Sequence, residues 1–151
     1  MLKLFLFSLC CVATSCTTSR APIAEYSSST VTSSLPTAVS VDVAFALSNT
    51  NDEPLQLEQY NYAVSIAGDI VYRGFAEAEQ TLPRGSTVNA TIPIVIPRAY
   101  LVGQDTVVWR LRGSLEYISH NAFVETLVDS KMYQPSISIA ASDYMVVPPT
   151  E

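Results

Sequence analysis

The sequence predicts an all-β protein, an antiparallel β-sandwich with at most one short helix. Two observations lead to this fold class. Apolar and polar residues alternate with period two in several segments, and turn residues separate those segments at short intervals. Hydrophobic residues make up 48% of the chain and charged residues only 15%, which is enough apolar material for a packed core. The length of 151 residues predicts one domain.

The N-terminus has the layout of an export signal. Lys3 places a positive charge ahead of an apolar run over residues 4–12. The run is too short to cross a bilayer as a helix, which takes about 20 apolar residues. Residues 1–15 are therefore predicted to be a signal peptide.

Small residues follow the apolar run and lead directly to a cysteine, in the order Ala13, Thr14, Ser15, Cys16. This segment resembles the lipobox of bacterial lipoproteins, in which the cysteine is lipidated and becomes the first mature residue. In that family the position of Ala13 is most often Leu. The resemblance implies a lipidated Cys16 and a membrane contact through the N-terminal lipid. By analogy, Thr17 in place of Asp favours the outer membrane of a bacterial cell envelope, facing the periplasm.

All three cysteines lie in this region, at positions 10, 11 and 16. Cleavage before Cys16 would remove Cys10 and Cys11, and acylation would occupy the remaining thiol. The mature chain would then have neither a disulfide nor a cysteine metal site. The alternative is ordinary secretion with cleavage nearby, which leaves Cys16 as a free thiol.

Residues 16–37 are predicted to be the lipidated cysteine and a Ser/Thr-rich tether. The stretch "TTSRAPIAEYSSSTVTSSLPT" contains two prolines and no sustained periodicity. An edge strand around residues 25–31 is the alternative. Residues 38–148 are assigned to the β-sandwich domain.

Strand patterns begin after Pro36. In "VSVDVAFAL" the alternation predicts a half-buried strand whose inward residues are Val39, Val41, Val43, Phe45 and Leu47. In "YAVSIA" the inward residues are Tyr62, Val64 and Ile66. Gly68-Asp69 is predicted to form a two-residue type II′ turn into "IVYRGF".

The second half of the chain continues this pattern. "TVNATIPIVIP" predicts a strand with Pro93 outward, a position that an edge strand or a bulge tolerates, and with Val88, Ala90, Ile92, Ile94 and Ile96 inward. "RAYLVGQD", residues 98–105, predicts a helix of about two turns. "VVWRLRGSLEY" predicts a strand with Trp109 inward and with Arg110 and Arg112 outward. Shorter strands are predicted near residues 123–127, 136–140 and 144–147.

Turn residues, prolines and glycines occur in a characteristic order between residues 41 and 97. They are Asn49, Asn51, Pro54-Leu55, Tyr62, Gly68, Gly74, Leu82-Pro83, Gly85 and Ile92-Pro93, followed later by "LRGSLEY" around Gly113. In order and spacing, this segment resembles the late-embryogenesis-abundant (LEA) group-2 domain, also called the WHy (water stress and hypersensitive response) domain. The family's usual turn is Asn-Pro-Asn, and here Thr50 replaces the proline.

The resemblance implies an immunoglobulin/fibronectin-III-like sandwich, a link with desiccation and stress tolerance, and no catalytic residues. Bacterial members of the family are often exported or lipid-anchored. Asn49, Asn51, Pro54 and Gly68 are expected to act as structural turn residues, because short polar side chains hydrogen-bond the local backbone and glycine tolerates left-handed geometry.

Charge and residue type argue against several activities. Residues 16–151 contain seven basic and fourteen acidic residues. Because binding to nucleic acid requires an excess of basic residues, nucleic acid is not an expected partner. His120 is the only histidine and is expected in a solvated turn rather than as a general base or metal ligand. The acidic pairs Asp52-Glu53 and Glu77/Glu79 lack the ligand spacing of a calcium loop. No metal and no cofactor are expected.

Arg110 and Arg112 project from one strand face and could contact a phosphate or a lipid headgroup. With Glu116 two pleats on, an ordinary cross-strand charge pattern is the alternative. The inward aromatic residues are expected to be core rather than a ligand pocket: Tyr62, Trp109 and Tyr117.

Two functional classes remain. The first is a non-enzymatic, membrane-anchored lipoprotein that serves stress tolerance or envelope maintenance through contacts with an unknown envelope protein or lipid. The second is a periplasmic binding module that carries a lipid or other apolar ligand between its sheets. An enzyme is not expected.

Overall fold

The computed structural model describes residues 19–119, 130 and 133–149. Within them, seven strands form two packed antiparallel sheets, and the predicted all-β sandwich is confirmed. The strands are β1 Ile23–Ser34, β2 Ala38–Ser48, β3 Leu55–Ile66, β4 Asp69–Leu82, β5 Thr87–Pro97, β6 Thr106–Ser119 and β7 Ser136–Val146. The three-stranded sheet has the order β1-β2-β5, and the four-stranded sheet has the order β4-β3-β6-β7.

The core lies between the sheets and follows the alternation in the sequence. β2 contributes Val43 and Phe45, β6 contributes Trp109 and Leu111, and each of these side chains is at most 1% exposed. Burying one such side chain stabilises the fold by about 1.5–3 kcal/mol. The inward faces predicted for β2, β5 and β6 are observed, and Val88 at the start of β5 is half-buried.

β1 corrects the prediction that residues 16–37 form a tether. Ile23–Ser34 pairs with β2 in antiparallel register along its length, so this part of the segment belongs to the sandwich. The register shifts after Tyr26 and again after Val31. Each shift breaks the period-two alternation, which is why the sequence shows no sustained strand pattern here. The structure supports the alternative, an edge strand around residues 25–31, and extends it at both ends.

The turn between β3 and β4 differs by one residue from the prediction. Ile66 pairs with Asp69, so the two loop residues are Ala67 and Gly68 rather than Gly68 and Asp69. Their φ angles are both positive, 51° and 98°. Two positive φ angles are typical of a type I′ turn, whereas the predicted type II′ turn has one, at its first position.

The second half of the chain also departs from the prediction. The helix expected over residues 98–105 is a single 3₁₀ turn, Arg98–Tyr100. The two short strands expected over residues 136–140 and 144–147 are one continuous strand, β7. The strand predicted near residues 123–127 lies outside the described residues. Pro93 lies outward on β5, which is an edge strand as its position required.

Polar side chains join the sheets along the β1–β7 side of the sandwich. The Tyr26 hydroxyl on β1 donates to Asp143 Oδ2 on β7 at 2.5 Å, and the Ser29 hydroxyl donates to the same oxygen at 2.9 Å. The bond from Tyr26, then that from Ser29, lowers the pKa of the Asp143 carboxyl below its ordinary value. Burial, and then the bond to Asp143, raises the pKa of Tyr26.

A second tyrosine joins the sheets along the β4–β5 side. The Tyr62 hydroxyl on β3 donates to the backbone carbonyl of Pro93 on β5. The Tyr62 ring packs at a tilt against Tyr72, with centroids 6.2 Å apart. Burial raises the pKa of Tyr62 to about 12. Gly74 leaves the space that this arrangement needs, since a Cβ there would lie 2.9 Å from the Tyr62 hydroxyl oxygen.

Arg98 fastens the end of the sandwich where β1 stops. Its Nη1 donates to the Pro148 carbonyl at 2.9 Å and its Nε donates to the Leu35 carbonyl at 3.1 Å. Its Nη2 donates to the Ser34 hydroxyl oxygen at 2.5 Å, and that hydroxyl donates to the Pro149 carbonyl at 2.7 Å. This guanidinium therefore serves the fold rather than an external anion.

Candidate functional site

The turn after β2 is a polar hub at the end of the sandwich where the chain enters. Asn49 is 2% exposed, and its Nδ2 donates to the carbonyls of Glu53, Leu82 and Pro83 at 2.8, 3.2 and 3.2 Å. Its Oδ1 accepts from the backbone N–H of Asn51 at 2.9 Å. Asn49 thus links this turn to the end of β4 by hydrogen bonds to the backbone.

Asn51 fixes the incoming chain to the same hub. Its Oδ1 accepts from the Arg20 N–H at 2.6 Å, and its Nδ2 donates to the Arg20 carbonyl at 2.8 Å. Neither Asn49 nor Asn51 is among the described residues with a positive φ, so their contribution is hydrogen bonding. Pro54, also expected in the turn, is half-buried just before β3. Cys16 lies outside the described residues.

The outward face of the four-stranded sheet carries the arginines that the sequence analysis singled out. Arg110 and Arg112 are exposed on β6, as predicted. Arg112 lies opposite Ala63 on β3, and Ala63 lies opposite Arg73 on β4. Because residues directly opposite each other share a sheet face, Arg73 and Arg112 stand on the same face, on either side of a small alanine.

Carboxylates occupy the same face nearer the entry end. Gln59 on β3 lies opposite both Glu77 on β4 and Glu116 on β6, which places these three residues in one row. Asn61 Nδ2 donates to Glu116 Oε1 at 3.1 Å. A shallow concavity of about 380 Å³ opens here, lined by Gln56, Leu57, Glu58, Gln59, Glu77, Glu79, Glu116 and Gln134.

The charged and apolar side chains on this outward surface point into solvent. Within the described part of the chain, the side chains of Arg73, Arg112 and Glu77 make no hydrogen bond and no ion pair. Phe75, between Arg73 and Glu77 on β4, is 68% exposed, and Tyr144 on β7 is 66% exposed. Exposed aromatic side chains are enriched in interaction surfaces.

The remaining candidates from the sequence are the acidic pairs and the single histidine. Among the described residues, no group of three or more His, Cys, Asp or Glu side chains is placed to hold a metal ion. His120 lies outside the described residues. No helix in the described part of the chain is long and apolar enough to span a membrane.

The inward aromatic residues are part of the core. Trp109, Tyr62 and Tyr117 are 0%, 7% and 9% exposed, and Trp109 and Tyr26 meet edge to face with ring centroids 6.4 Å apart. Within the described residues, the buried Tyr60 hydroxyl oxygen and Trp109 indole nitrogen have no hydrogen-bond partner. Such an unpaired group costs about 1–3 kcal/mol. These side chains occupy space that a ligand carried between the sheets would need.

Comparison with known proteins identifies solved structures with a similar fold. No family model and no curated protein matches the chain. Among solved structures, AT1g01470 from Arabidopsis thaliana superposes with a TM-score of 0.67 at 14% identity, covering 93% of this chain and 91% of that one. A candidate LEA protein, At2g46140.1, gives 0.65 at 12% identity, covering 85% of this chain and 72% of that one. The fold is LEA-like.

A further solved structure shares the fold with a lower TM-score. A protein from Archaeoglobus fulgidus matches with a TM-score of 0.53 at 10% identity, covering 87% of this chain and 99% of that one. At such low identities, these likenesses concern the backbone fold and leave the function to be argued from this chain's own residues.

The sequence predicted three members of the outward face, Arg110, Arg112 and Glu116, but not the two that lie beside them on β4. Arg110 and Arg112 were visible because they alternate with core residues on one strand. Arg73 and Glu77 become their neighbours only through the register of β3 with β4 and β6. A sequence pattern specifies which face a residue takes within its strand, but not which residue of another strand lies beside it.

Proposed function

We propose that this protein is a non-enzymatic lipoprotein, anchored through Cys16, that holds an LEA-like β-sandwich close to a bacterial envelope membrane. The observation that carries the proposal is the lipobox-like Ala13-Thr14-Ser15-Cys16 after an apolar run, directly ahead of a sandwich of this fold. By the identity of Thr17, the membrane is the outer membrane, with the domain in the periplasm.

The chain's path supports a short anchor. The Asn51 side chain accepts a hydrogen bond from the Arg20 N–H and donates one to the Arg20 carbonyl. Only four residue steps separate Arg20 from Cys16 in the sequence. Four extended residues reach at most about 14 Å. Since β1 takes up most of the segment expected to be a tether, the domain would stay within a few tens of ångströms of the lipid headgroups.

The proposed role is binding to an envelope protein or lipid, in stress tolerance such as survival of drying, or in envelope maintenance. The LEA-like fold supports the stress assignment. Asp143, the carboxylate between the sheets, is engaged in the fold through Tyr26 and Ser29. A ligand carrier is less well supported, because large side chains such as Phe45 and Trp109 fill the space between the sheets.

Lipidation is tested by growing cells with labelled palmitate and recovering the protein. The wild type is expected to incorporate the label and to fractionate with membranes, because acyl chains partition into the bilayer. Cys16→Ser should lose both properties. The matched control is Cys11→Ser, which should keep the label, since Cys11 would leave with the signal peptide. A wild-type protein that never incorporates the label would refute the anchor.

The role is tested in a strain from which the gene is deleted. We expect an envelope or drying defect that is rescued by the wild type and by His120→Ala but not by Cys16→Ser. Complementation by Cys16→Ser would favour a soluble carrier. Failure of a folded His120→Ala variant would bring back an enzymatic role.

A further inference from the structure

The outward face of the four-stranded sheet has a repeated charge order. On β4 the outward residues run Arg73, Phe75, Glu77, and on β6 they run Arg112, Ser114, Glu116. Both triplets read positive, uncharged, negative in chain order. β4 and β6 run in the same direction, because each is antiparallel to β3 between them.

The strand register places the two triplets side by side. Ala63 lies opposite both Arg73 and Arg112, and Gln59 lies opposite both Glu77 and Glu116. The middle row contains Asn61, which lies opposite both Phe75 and Ser114. Successive rows on one face are about 7 Å apart, so a positive row and a negative row flank an uncharged row symmetrically.

We propose that this face pairs with the same face of a second copy of this chain, about a twofold axis that runs along the middle row. Such an axis lies across the strands and reverses their direction. It brings Arg73 of one copy opposite Glu77 of the other, and Arg112 opposite Glu116. Each copy contributes both partners, so four ion pairs form from the two triplets, as an isologous interface requires.

The shape and chemistry of the face suit this partner. Phe75, 68% exposed, lies on the axis and would stack on its symmetry mate. Small residues around it, among them Ala63 and Ser138, allow two sheets to approach to the usual spacing of about 10 Å. Four strands by five rows measure roughly 19 Å by 30 Å. A dimer would therefore bury on the order of 1,100 Å², just above the lower bound of ~1,000 Å² for a specific interface.

The charge order favours a second copy over a membrane surface. Anionic headgroups would attract Arg73 and Arg112 but would repel Glu77 and Glu116, which lie only about two rows away on the same face. A face with equal numbers of both charges gains little from a surface of one sign. A partner with the reversed order satisfies the four charges of the two triplets, and a twofold copy supplies that order. Arg110 and Glu79, which are exposed farther along the same strands, lie outside these pairs.

Cross-linking in the full-length chain tests the axis. Ser114→Cys puts a thiol on the middle row, where it faces the same thiol of the second copy, and a short bismaleimide should join them. Thr91→Cys is the matched control, since Thr91 is exposed on the outward face of the three-stranded sheet. We expect dimer from Ser114→Cys at about tenfold the level from Thr91→Cys. Equal yields from both positions would overturn the proposal.

Charge exchange tests the pairing rule, with Ser114→Cys in every chain. Arg73→Glu with Arg112→Glu should reduce the cross-linked dimer about tenfold, and so should Glu77→Arg with Glu116→Arg, because like charges then face each other. Co-expression of the two variants under different tags should restore a mixed dimer, since every facing pair is again opposite in charge. One chain carrying all four changes should also restore dimer.

The restored dimers are the control for misfolding, because a variant that is unfolded would not form a dimer when its charge complement is supplied. The proposal is overturned if neither the mixed pair nor the fourfold variant restores cross-linking. It is equally overturned if no Ser114→Cys dimer forms while Arg73→Glu with Arg112→Glu abolishes binding to phosphatidylglycerol vesicles, which would make the face a lipid contact. Thr91→Cys carries the same native thiols as Ser114→Cys, so any cross-link through an unacylated Cys16 forms equally in both variants and does not change their ratio.

Discussion

The two long sides of the sandwich are each closed by a tyrosine, but the acceptors differ in kind. On the β1–β7 side, Tyr26 of the three-stranded sheet donates to the Asp143 carboxylate of the four-stranded sheet. On the β4–β5 side, Tyr62 of the four-stranded sheet donates to the backbone carbonyl of Pro93 in the three-stranded sheet. One side therefore uses a group that can be protonated, and the other uses one that cannot.

The two sides of one sandwich can thus hold the sheets together in ways that respond differently to solution conditions. A carboxylate acceptor gives a stronger, charge-assisted bond that is lost in acid. A backbone acceptor gives a bond that acid does not change, with close ring packing around it. Substitutions on each side should separate the two contributions to stability.

Trp109→Ala should destabilise the β1–β7 side most. The Trp109 side chain is fully buried and supports the Tyr26 ring edge to face. We expect a loss of about 3–5 kcal/mol in the free energy of unfolding, measured by urea denaturation at pH 7. Tyr144→Ala, at a 66% exposed site on the neighbouring strand, is the control and should change it by less than about 0.5 kcal/mol. A loss from Trp109→Ala below that of the control would contradict the assigned core.

Gly74→Ala should disturb the β4–β5 side. The added Cβ would lie 2.8 Å from Tyr72 Cε1 and 2.9 Å from the Tyr62 hydroxyl oxygen, closer than Cβ atoms come to other groups. We expect a loss of about 1–3 kcal/mol, as for other overpacked sites. Combining it with Tyr62→Phe removes one of the crowded atoms, so the double variant should lose less than the sum of the two single losses. Strict additivity would show that the crowding does not involve the hydroxyl.

Asp143→Asn should affect the β1–β7 side by about 1 kcal/mol at pH 7, a modest value because the carboxylate is partly exposed. The folded-state pKa of Asp143 is lowered. The stability that the Asp143 carboxylate adds is therefore present above the pKa of the unfolded state, near 3.8, and is lost as pH falls through the lower pKa of the folded state. Between about pH 5 and pH 3, the wild type should lose stability more steeply than Asp143→Asn. Parallel pH profiles for the two proteins would rule out this linkage, whereas Tyr62→Phe should leave the acid profile unchanged.

Tyr60→Phe should have the smallest effect and sharpens the role of Tyr62. Both tyrosines are buried on β3, but only Tyr62 has a partner for its hydroxyl among the described residues. Removing the unpaired Tyr60 hydroxyl should leave the free energy of unfolding unchanged or raise it by up to about 1 kcal/mol, whereas Tyr62→Phe should lower it by about 1 kcal/mol. A clear loss from Tyr60→Phe in urea denaturation would mean that its hydroxyl is bonded.

Alkaline pH provides a second measurement on the same tyrosine. Burial raises the pKa of Tyr60 to about 12, from an ordinary value of 10.0. Stability from the neutral side chain is therefore present below pH 10 and is lost as pH rises through about 12. Tyr60→Phe should lose less stability over that range than the wild type does.

The strands that the sequence predicts well are those with uninterrupted alternation. β2 pairs with β5, and β6 pairs with β7, without a register shift. Where β2 pairs with β1 and β6 pairs with β3, the extra residues lie on β1 and β3. The alternation of β2 and β6 is therefore uninterrupted and gives the buried face directly. β1 could not be predicted with the same clarity, because two register shifts interrupt the alternation of a strand that is mostly serine and threonine. Pairing with β2 supplies the stability that its own side chains do not.

Asp143 explains why β7 reads as two strands. It takes an inward position between the buried Ala141 and Met145, where a carboxylate breaks the apolar pattern. The fold tolerates it because Tyr26 and Ser29 reach it from the other sheet. Such a partner comes from more than a hundred residues away, and the same limit hid the alignment of Arg73 with Arg112.

The bonds between Arg20 and Asn51 have a mechanical consequence. If Cys16 is held in a membrane, any force on the domain enters through Arg20, and these two bonds bear it first. The next element in line is β1, whose ladder with β2 runs along the direction of a pull on its N-terminal end. A pull in that direction loads the rungs of the ladder together in shear instead of opening them one at a time, so the polar strand nearest the anchor is attached in the geometry that best resists detachment.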